Sequence, residues 1–236
     1  MLSAQHRAAP PLPAVRRLTA VLMLLGAVAH LGFLAEFLLD TALSPWRVLP
    51  AYLLAEHQPY RDVFRVADWV AGGAFVVVSP PLLRIAPVHW LSRLTVAVLF
   101  ASGVFLLLRA AFPPECVPTP SGLCDSPVER TVQGSVLLPA VQYLVSPAIV
   151  AAWWHGRWRT AVWTLFVIQL ATWAVVIVLG WFALGWFVGL AVRVQIVTGS
   201  ALLAVGAAYV LGKGVTRPFG ASRRDRARER VGPCPE

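Results

Sequence analysis

Four charged side chains lie inside long apolar runs of this sequence, where an unpaired charge would be costly in hydrocarbon. They are Glu36, Asp68, Arg109 and Arg193. Two are acidic and two are basic, so they can neutralise one another. A guanidinium also binds carboxylates and phosphates through paired hydrogen bonds. The sequence therefore predicts an outward-open polar pocket in which these four residues bind a ligand.

Smaller polar residues recur on the same predicted helix faces as these charges. Thr95, Ser102 and Arg109 follow one another at intervals of seven residues, which places them on one face. In the next apolar run Gln142 and Ser146 share a face, so Gln142 is a fifth predicted ligand-binding residue. The alternative role is structural, because small polar residues also mediate helix packing and arginines near helix ends can reach the headgroups.

The composition of the chain indicates that it is embedded in a membrane. Of its 236 residues, 58% are hydrophobic and 13% are charged, with a mean hydropathy of +0.70. A soluble domain has about a quarter charged residues. The net charge of +9 is also compatible with nucleic-acid binding. However, the basic residues lie at helix ends and in a tail, which favours the lipid bilayer as the partner and no nucleic acid.

Six apolar runs are long enough to cross the hydrocarbon core as helices. They cover 18–39, 65–83, 94–112, 134–154, 160–180 and 187–211. Between the first two, apolar residues at helical spacing in 47–56 predict a short interfacial helix. The predicted fold class is an all-α membrane protein with one six-span domain at 18–212. A lead at 1–17 precedes it, and a basic tail at 213–236 follows.

The distribution of basic residues sets the predicted orientation. Fourteen of the 20 lysines and arginines fall in segments that a six-span arrangement places on one side. Such segments face the cytoplasm by the positive-inside rule, so both termini are predicted to be cytoplasmic. Lys213 is the single lysine, which is typical of an arginine-biased bacterial composition and indicates the inner (plasma) membrane. The basic tail is expected to bind anionic lipid headgroups.

Two cysteines, Cys116 and Cys124, lie eight residues apart in the polar stretch after the third apolar run. This stretch is predicted to face the oxidising exterior, so we expect a disulfide between them. A zinc site is disfavoured because the stretch lacks histidine. His30, His57 and His89 fall on three different segments and are not expected to meet. Neither a metal nor a cofactor is therefore predicted.

Two short motifs resemble a bacterial membrane-protein family known as domain of unknown function 998. They are 64–72 (FRVADWVAG) at the second span and 112–116 (FPPEC), with Cys124 following. The similarity covers about 44–147. Members often have a histidine just before the fourth span, whereas this chain has 129–133 (ERTVQ) there. The resemblance implies six spans and a membrane location, and it implies no substrate or active site.

These features predict a membrane protein that is not an enzyme. Its outward pocket would bind a small polar or lipid-headgroup ligand, to move it or to assist a partner. Mixed charge suits a zwitterion or a phosphate better than a bare cation. One alternative is an intramembrane enzyme acting on a lipid or a lipid carrier. The other is a structural or accessory subunit that binds a membrane partner protein and whose polar stripes join helices.

Overall fold

The computed structural model describes residues 12–41, 43–86, 89–114, 141–181 and 187–212. Every regular element in these ranges is helical, which confirms the predicted all-α class for this part of the chain. The α-helices are α1 (Leu12–His30), α2 (Arg61–Ile85), α3 (Trp90–Ala111), α4 (Ser146–Trp153), α5 (Arg157–Trp181) and α6 (Val188–Leu211). Two 3-10 helices (Leu31–Phe37 and Pro50–Leu54) and one π-helical turn (Val141–Val145) complete the set.

Five helical stretches in the described residues are long and apolar enough to cross a membrane. They are Pro13–Phe37, Arg61–Ile85, Trp90–Ala111, Arg157–Leu179 and Val188–Leu211. The shortest has 22 residues, which at 1.5 Å per residue spans about 33 Å and matches the hydrocarbon thickness. The chain is therefore a membrane-embedded helical protein.

The fourth predicted span, 134–154, is only partly within the described residues. Its second half forms the π-helical turn and α4, while 134–140 lie outside the described ranges. The six-span count and the cytoplasmic location of both termini therefore stay predictions.

The perimeter of the bundle carries large apolar side chains. Val28, Val66 and Ile177 are each more than half exposed. In water such a surface would be unfavourable, but lipid tails solvate it. This surface agrees with a membrane location.

The described helices pack side by side around the buried polar residues. α2 lies between α1 and α3, and α6 contacts α1 and α5. α4 packs between α3 and α5. This arrangement brings the inward faces of α1, α2, α3 and α6 close to one another, which positions the charged side chains.

The segment after α1 differs from the predicted interfacial helix at 47–56. The structure has a shorter 3-10 helix, Pro50–Leu54, that begins at a proline without an N–H donor. Its Leu53 and Leu54 are buried against Phe33, Phe64 and residues of α6. Because its apolar side chains face the bundle instead of the lipid, this segment forms part of the protein interior.

Two glycines allow the backbones of α2 and α3 to touch. A Cβ atom on Gly72 would lie 2.8 Å from the carbonyl oxygen of Gly103, and one on Gly103 would lie 2.8 Å from the carbonyl oxygen of Gly72. Small residues permit such close approach of helices in membranes. The neighbouring Gly73 has no atom within 4 Å of the same position. Contact between the helices therefore depends on Gly72 and Gly103.

Replacing Gly72 with alanine is expected to destabilise the protein by about 1–3 kcal/mol, since the added methyl group overpacks the α2–α3 contact. Gly73→Ala is the matched control on the same helix. It should be neutral or slightly stabilising, because alanine has the higher helix propensity and the site is open. Thermal unfolding in detergent measures both. Equal stabilities of the two variants would contradict the observed helix contact.

Candidate functional site

A buried ion pair joins Glu36 of the first 3-10 helix to Arg193 of α6. The Nε and Nη2 atoms of Arg193 donate to the two carboxylate oxygens, the second at 2.6 Å. The Glu36 side chain has no exposed surface, and that of Arg193 is 5% exposed. The opposite charges thus satisfy each other through the bidentate geometry that arginine favours.

The third nitrogen of Arg193 holds the irregular segment after α1. Its Nη1 atom donates to the carbonyl oxygens of Pro45 at 2.5 Å, Val48 at 2.8 Å and Gly189 at 3.0 Å. A Cβ atom at Gly189 would lie 2.6 Å from the first two oxygens, so a glycine is needed there. All three nitrogens of the guanidinium donate to the protein, and this pair acts as a clamp between α6 and 43–54.

A second ion pair joins Asp68 of α2 to Arg109 of α3. Nε donates to Oδ2 at 2.7 Å and Nη2 donates to Oδ1 at 2.5 Å. The pair is less enclosed than the first, with 9% of the Asp68 side chain and 17% of the Arg109 side chain exposed. Arg65 does not join it and donates instead to the carbonyl oxygen of Ala110 at 2.8 Å. Two arginines thus tie α2 to α3 in different ways.

His30 separates two small cavities next to the second ion pair. One, of about 20 Å³, is lined by His30, Asp68 and Arg109. The other, of about 40 Å³, is lined by His30, Gln142 and Tyr143, among others. A cavity of roughly 10–15 Å³ is enough for one water molecule. In this conformation the site therefore has room for a small polar group and not for a complete lipid headgroup.

His30 itself is buried, and only one of its two ring nitrogens has a hydrogen-bond partner in the described residues. Its Nε2 atom lies 3.0 Å from the Tyr143 hydroxyl, and this pair links α1 to the π-helical turn. Its Nδ1 atom has no hydrogen-bond partner in the described part of the chain. A buried polar atom without a partner is unfavourable, so Nδ1 is an unsatisfied polar atom of a residue that lines both cavities.

The structure divides the five residues predicted to bind a ligand into three locations. Glu36 pairs with Arg193, and Asp68 pairs with Arg109. Gln142 lines the cavity beyond His30. The expected pairing of acids with arginines is present, but a single pocket containing all four charges is not formed by the described residues. The ligand-binding role of these residues stays a prediction.

The sequence interpretation missed the contribution of His30 and Tyr143. His30 was considered only as a member of a metal site, although an ionisable residue in the middle of an apolar run is itself a functional candidate. Tyr143 follows Gln142 directly and gave no signal of its own. The partner of His30 lies 113 residues away, and periodicity within single helices does not reveal such a contact.

Other predicted features lie outside the described residues. Cys116, Cys124 and the basic tail at 213–236 are among them, so the disulfide and the binding of lipid by the tail stay predictions. Across the described ranges, no three histidine, cysteine or acidic side chains gather closely enough to hold a metal ion.

No protein-family model matches this chain, and comparisons with curated proteins and with solved structures find no match either. The fold and the site define a membrane-embedded helical protein with two ion pairs inside the bundle. The resemblance of 64–72 and 112–116 to the family with domain of unknown function 998 stays a prediction.

Proposed function

We propose that the Asp68–Arg109 pair and His30 form the binding site for a small polar ligand, or for a lipid headgroup when the cavity of about 20 Å³ beside the pair widens. The observation that carries this proposal is the difference between the two ion pairs. Glu36–Arg193 is enclosed, and every nitrogen of the Arg193 guanidinium donates to a protein oxygen. Asp68–Arg109 retains exposed surface and borders a cavity.

A purely structural ion pair inside a membrane bundle is best enclosed on all sides, because hydrocarbon offers no compensation for a charge. Glu36–Arg193 follows this rule. A charge pair beside a cavity is more weakly stabilised by the protein, and it can exchange its partner for a ligand group. This contrast favours a structural role for the first pair and a binding role for the second.

The chemistry of the second pair favours a zwitterion or a phosphate. The guanidinium of Arg109 can bind an anionic oxygen pair bidentately, and the carboxylate of Asp68 can accept from an ammonium group. His30 Nδ1 supplies one further polar contact. A bare cation would leave Arg109 unpaired, which is unfavourable inside the bundle.

The larger cavity next to the His30 cavity is mainly apolar, which favours a binding site over a continuous polar path through the bundle. Ser146 and Leu99 line both the cavity of His30 and a larger cavity further along the bundle, whose wall is mainly apolar. A polar solute would find few partners there. We therefore favour a site that binds a ligand entering from one side of the membrane. Its role would be in transport or as an accessory to a partner.

We also propose that the chain crosses a bacterial inner membrane six times, with both termini in the cytoplasm. The arginine distribution supports this orientation. In this orientation the Asp68–Arg109 pair would lie in the outer half of the bilayer, and the ligand would arrive from outside the cytoplasm. An enzymatic role has less support, since no three histidine, cysteine or acidic side chains of the described residues gather closely enough to hold a metal ion.

The binding role is tested with the double variant Asp68→Asn with Arg109→Gln, which removes both charges and leaves neither unpaired. Short-chain phosphatidylethanolamine and inorganic phosphate are the probes. A ligand that binds the folded state raises its melting temperature, by the equivalent of about 2.7 kcal/mol at a hundredfold excess over Kd. We expect at least one probe to stabilise the wild-type protein and neither to stabilise the double variant.

The matched control is Arg61→Gln with Asp62→Asn, which neutralises an exposed pair on α2 whose closest N–O distance is 3.8 Å. This variant should respond to the probes as the wild type does. Equal responses of the wild type and the Asp68–Arg109 variant, or no response of the wild type to either probe, would contradict the proposed site.

A further inference from the structure

The larger cavity that adjoins the His30 cavity at Leu99 and Ser146 extends away from the ion pairs toward the other end of the bundle. It has a volume of about 100 Å³ and is bordered by residues of α1, α2, α3, α4 and α6. Most of its wall is apolar and includes Met23, Leu82, Val96, Leu99, Val150 and Leu203. An apolar cavity of this kind accepts hydrocarbon and excludes water.

Two buried polar atoms interrupt this apolar wall. They are Ser92 Oγ and Trp154 Nε1, which have no hydrogen-bond partner in the described part of the chain. Both side chains are more than nine-tenths buried. The Trp154 ring is held in place by stacking on Tyr209, with 4.1 Å between ring centroids. The lining of this mainly apolar space therefore includes two residues whose hydrogen-bond donors have no protein partner in the described part of the chain.

The depth of these donors matches the boundary between headgroups and hydrocarbon. Ser92 lies in the first turn of α3, and Trp154 directly follows α4. Tryptophan side chains are enriched at the headgroup level of a bilayer, and Ser92 lies at a helix end on the same side of this cavity. From Ser92 the cavity extends along α3 to Leu99, about 10 Å toward the bilayer centre at 1.5 Å per residue.

The same end of the bundle is positively charged. Arg84 near the end of α2, Arg93 at the start of α3 and Arg159 at the start of α5 are all exposed. None forms an ion pair with a carboxylate in the described ranges. Exposed arginines at this depth attract anionic headgroups.

We propose that this cavity binds one acyl chain of an anionic phospholipid. An ester or phosphate oxygen of the lipid accepts from Ser92 and Trp154, and its headgroup lies beside Arg84 and Arg93. The cavity holds a short segment of the chain, and the flexible Met23 side chain next to Gly206 can move to admit more of it. This cavity shares no lining residue with the cavity beside the Asp68–Arg109 pair, and the proposal does not depend on ligand binding there.

The test uses the full chain, purified in mild detergent and stripped of lipid. Palmitoyl-oleoyl phosphatidylglycerol is the probe, and native mass spectrometry measures how much of it stays bound. Val96→Phe fills the cavity from a buried position on α3. Leu94→Phe, on the exposed face of the same helix, is the matched control. We expect the wild type and Leu94→Phe to retain one lipid, and Val96→Phe to bind it at least tenfold more weakly.

Two further comparisons keep the test decisive if Val96→Phe folds poorly. Trp154→Phe preserves the ring stacking but removes the indole donor, so we expect it to fold and to bind the lipid several-fold more weakly. Arg84→Gln with Arg93→Gln should abolish the preference for phosphatidylglycerol over phosphatidylcholine with the same chains. Equal lipid retention by the wild type, Val96→Phe and Trp154→Phe would overturn the proposal, as would a wild-type protein that retains no lipid.

Discussion

Replacing Arg193 with leucine is expected to destabilise the folded protein by about 3–5 kcal/mol, the range found when one partner of a buried ion pair is removed. The substitution leaves the fully buried Glu36 carboxylate without its partner. It also removes the donor to the carbonyl oxygens of Pro45 and Val48. The segment 43–54 then keeps only its apolar contacts with α6, so we expect a large loss of folded protein in the membrane.

The loss is measured by equilibrium unfolding in mixed micelles and by the fraction of protein that elutes as a single species from detergent. Arg61→Leu is the control, because Arg61 belongs to an exposed pair. Exposed pairs contribute about 0–1 kcal/mol. Comparable losses for Arg193→Leu and Arg61→Leu would show that the Glu36–Arg193 clamp does not stabilise the fold.

A double substitution separates the charge from the carbonyl contacts. Glu36→Leu with Arg193→Leu removes both charges, so no carboxylate stays buried without a partner. We expect this variant to recover part of the stability lost by Arg193→Leu, with an interaction energy of about 0.5–3 kcal/mol in the double-mutant cycle. Recovery should be incomplete, since the oxygens of Pro45 and Val48 still lack their donor.

The sequence contains enough information to predict that these charges pair, but not which charges pair with each other. Apolar run lengths give the depth of Glu36, Asp68, Arg109 and Arg193, and the cost of a charge in hydrocarbon requires partners. Depth does not give the angular position of each helix in the bundle. That position is set by packing, such as the contact between α2 and α3 at Gly72.

Irregular backbone explains most of the remaining differences. The change from α-helix to 3-10 helix at Leu31–Phe37 sets the direction of the Glu36 side chain. The sequence has no proline or paired glycine in this segment, so it does not predict the change. Likewise, the carbonyl oxygens that accept from Arg193 belong to 43–54, where side-chain periodicity says nothing about backbone acceptors. Helical periodicity therefore predicted the helices well and the connections poorly.

Exchanging the charges of each pair should have opposite consequences for the two sites. Asp68→Arg with Arg109→Asp keeps an acid beside an arginine, and in the described residues both side chains bond mainly to each other. We expect this variant to lose less stability than the same exchange at Glu36 and Arg193, because in the described residues no backbone oxygen accepts from Arg109. Its response to the probes of the proposed site should be lost, because α2 and α3 now present the opposite charges to the ligand.

The same exchange at the other pair, Glu36→Arg with Arg193→Glu, should be as damaging as Arg193→Leu. A carboxylate at position 193 would face the carbonyl oxygens of Pro45, Val48 and Gly189, none of which can donate. An unsatisfied buried carbonyl costs about 1–3 kcal/mol, and a facing carboxylate adds repulsion. Thermal unfolding of the two exchanged variants compares these effects directly. Equal losses would mean that both pairs are structural, whereas a stable but unresponsive Asp68–Arg109 exchange supports a site that recognises the orientation of its ligand.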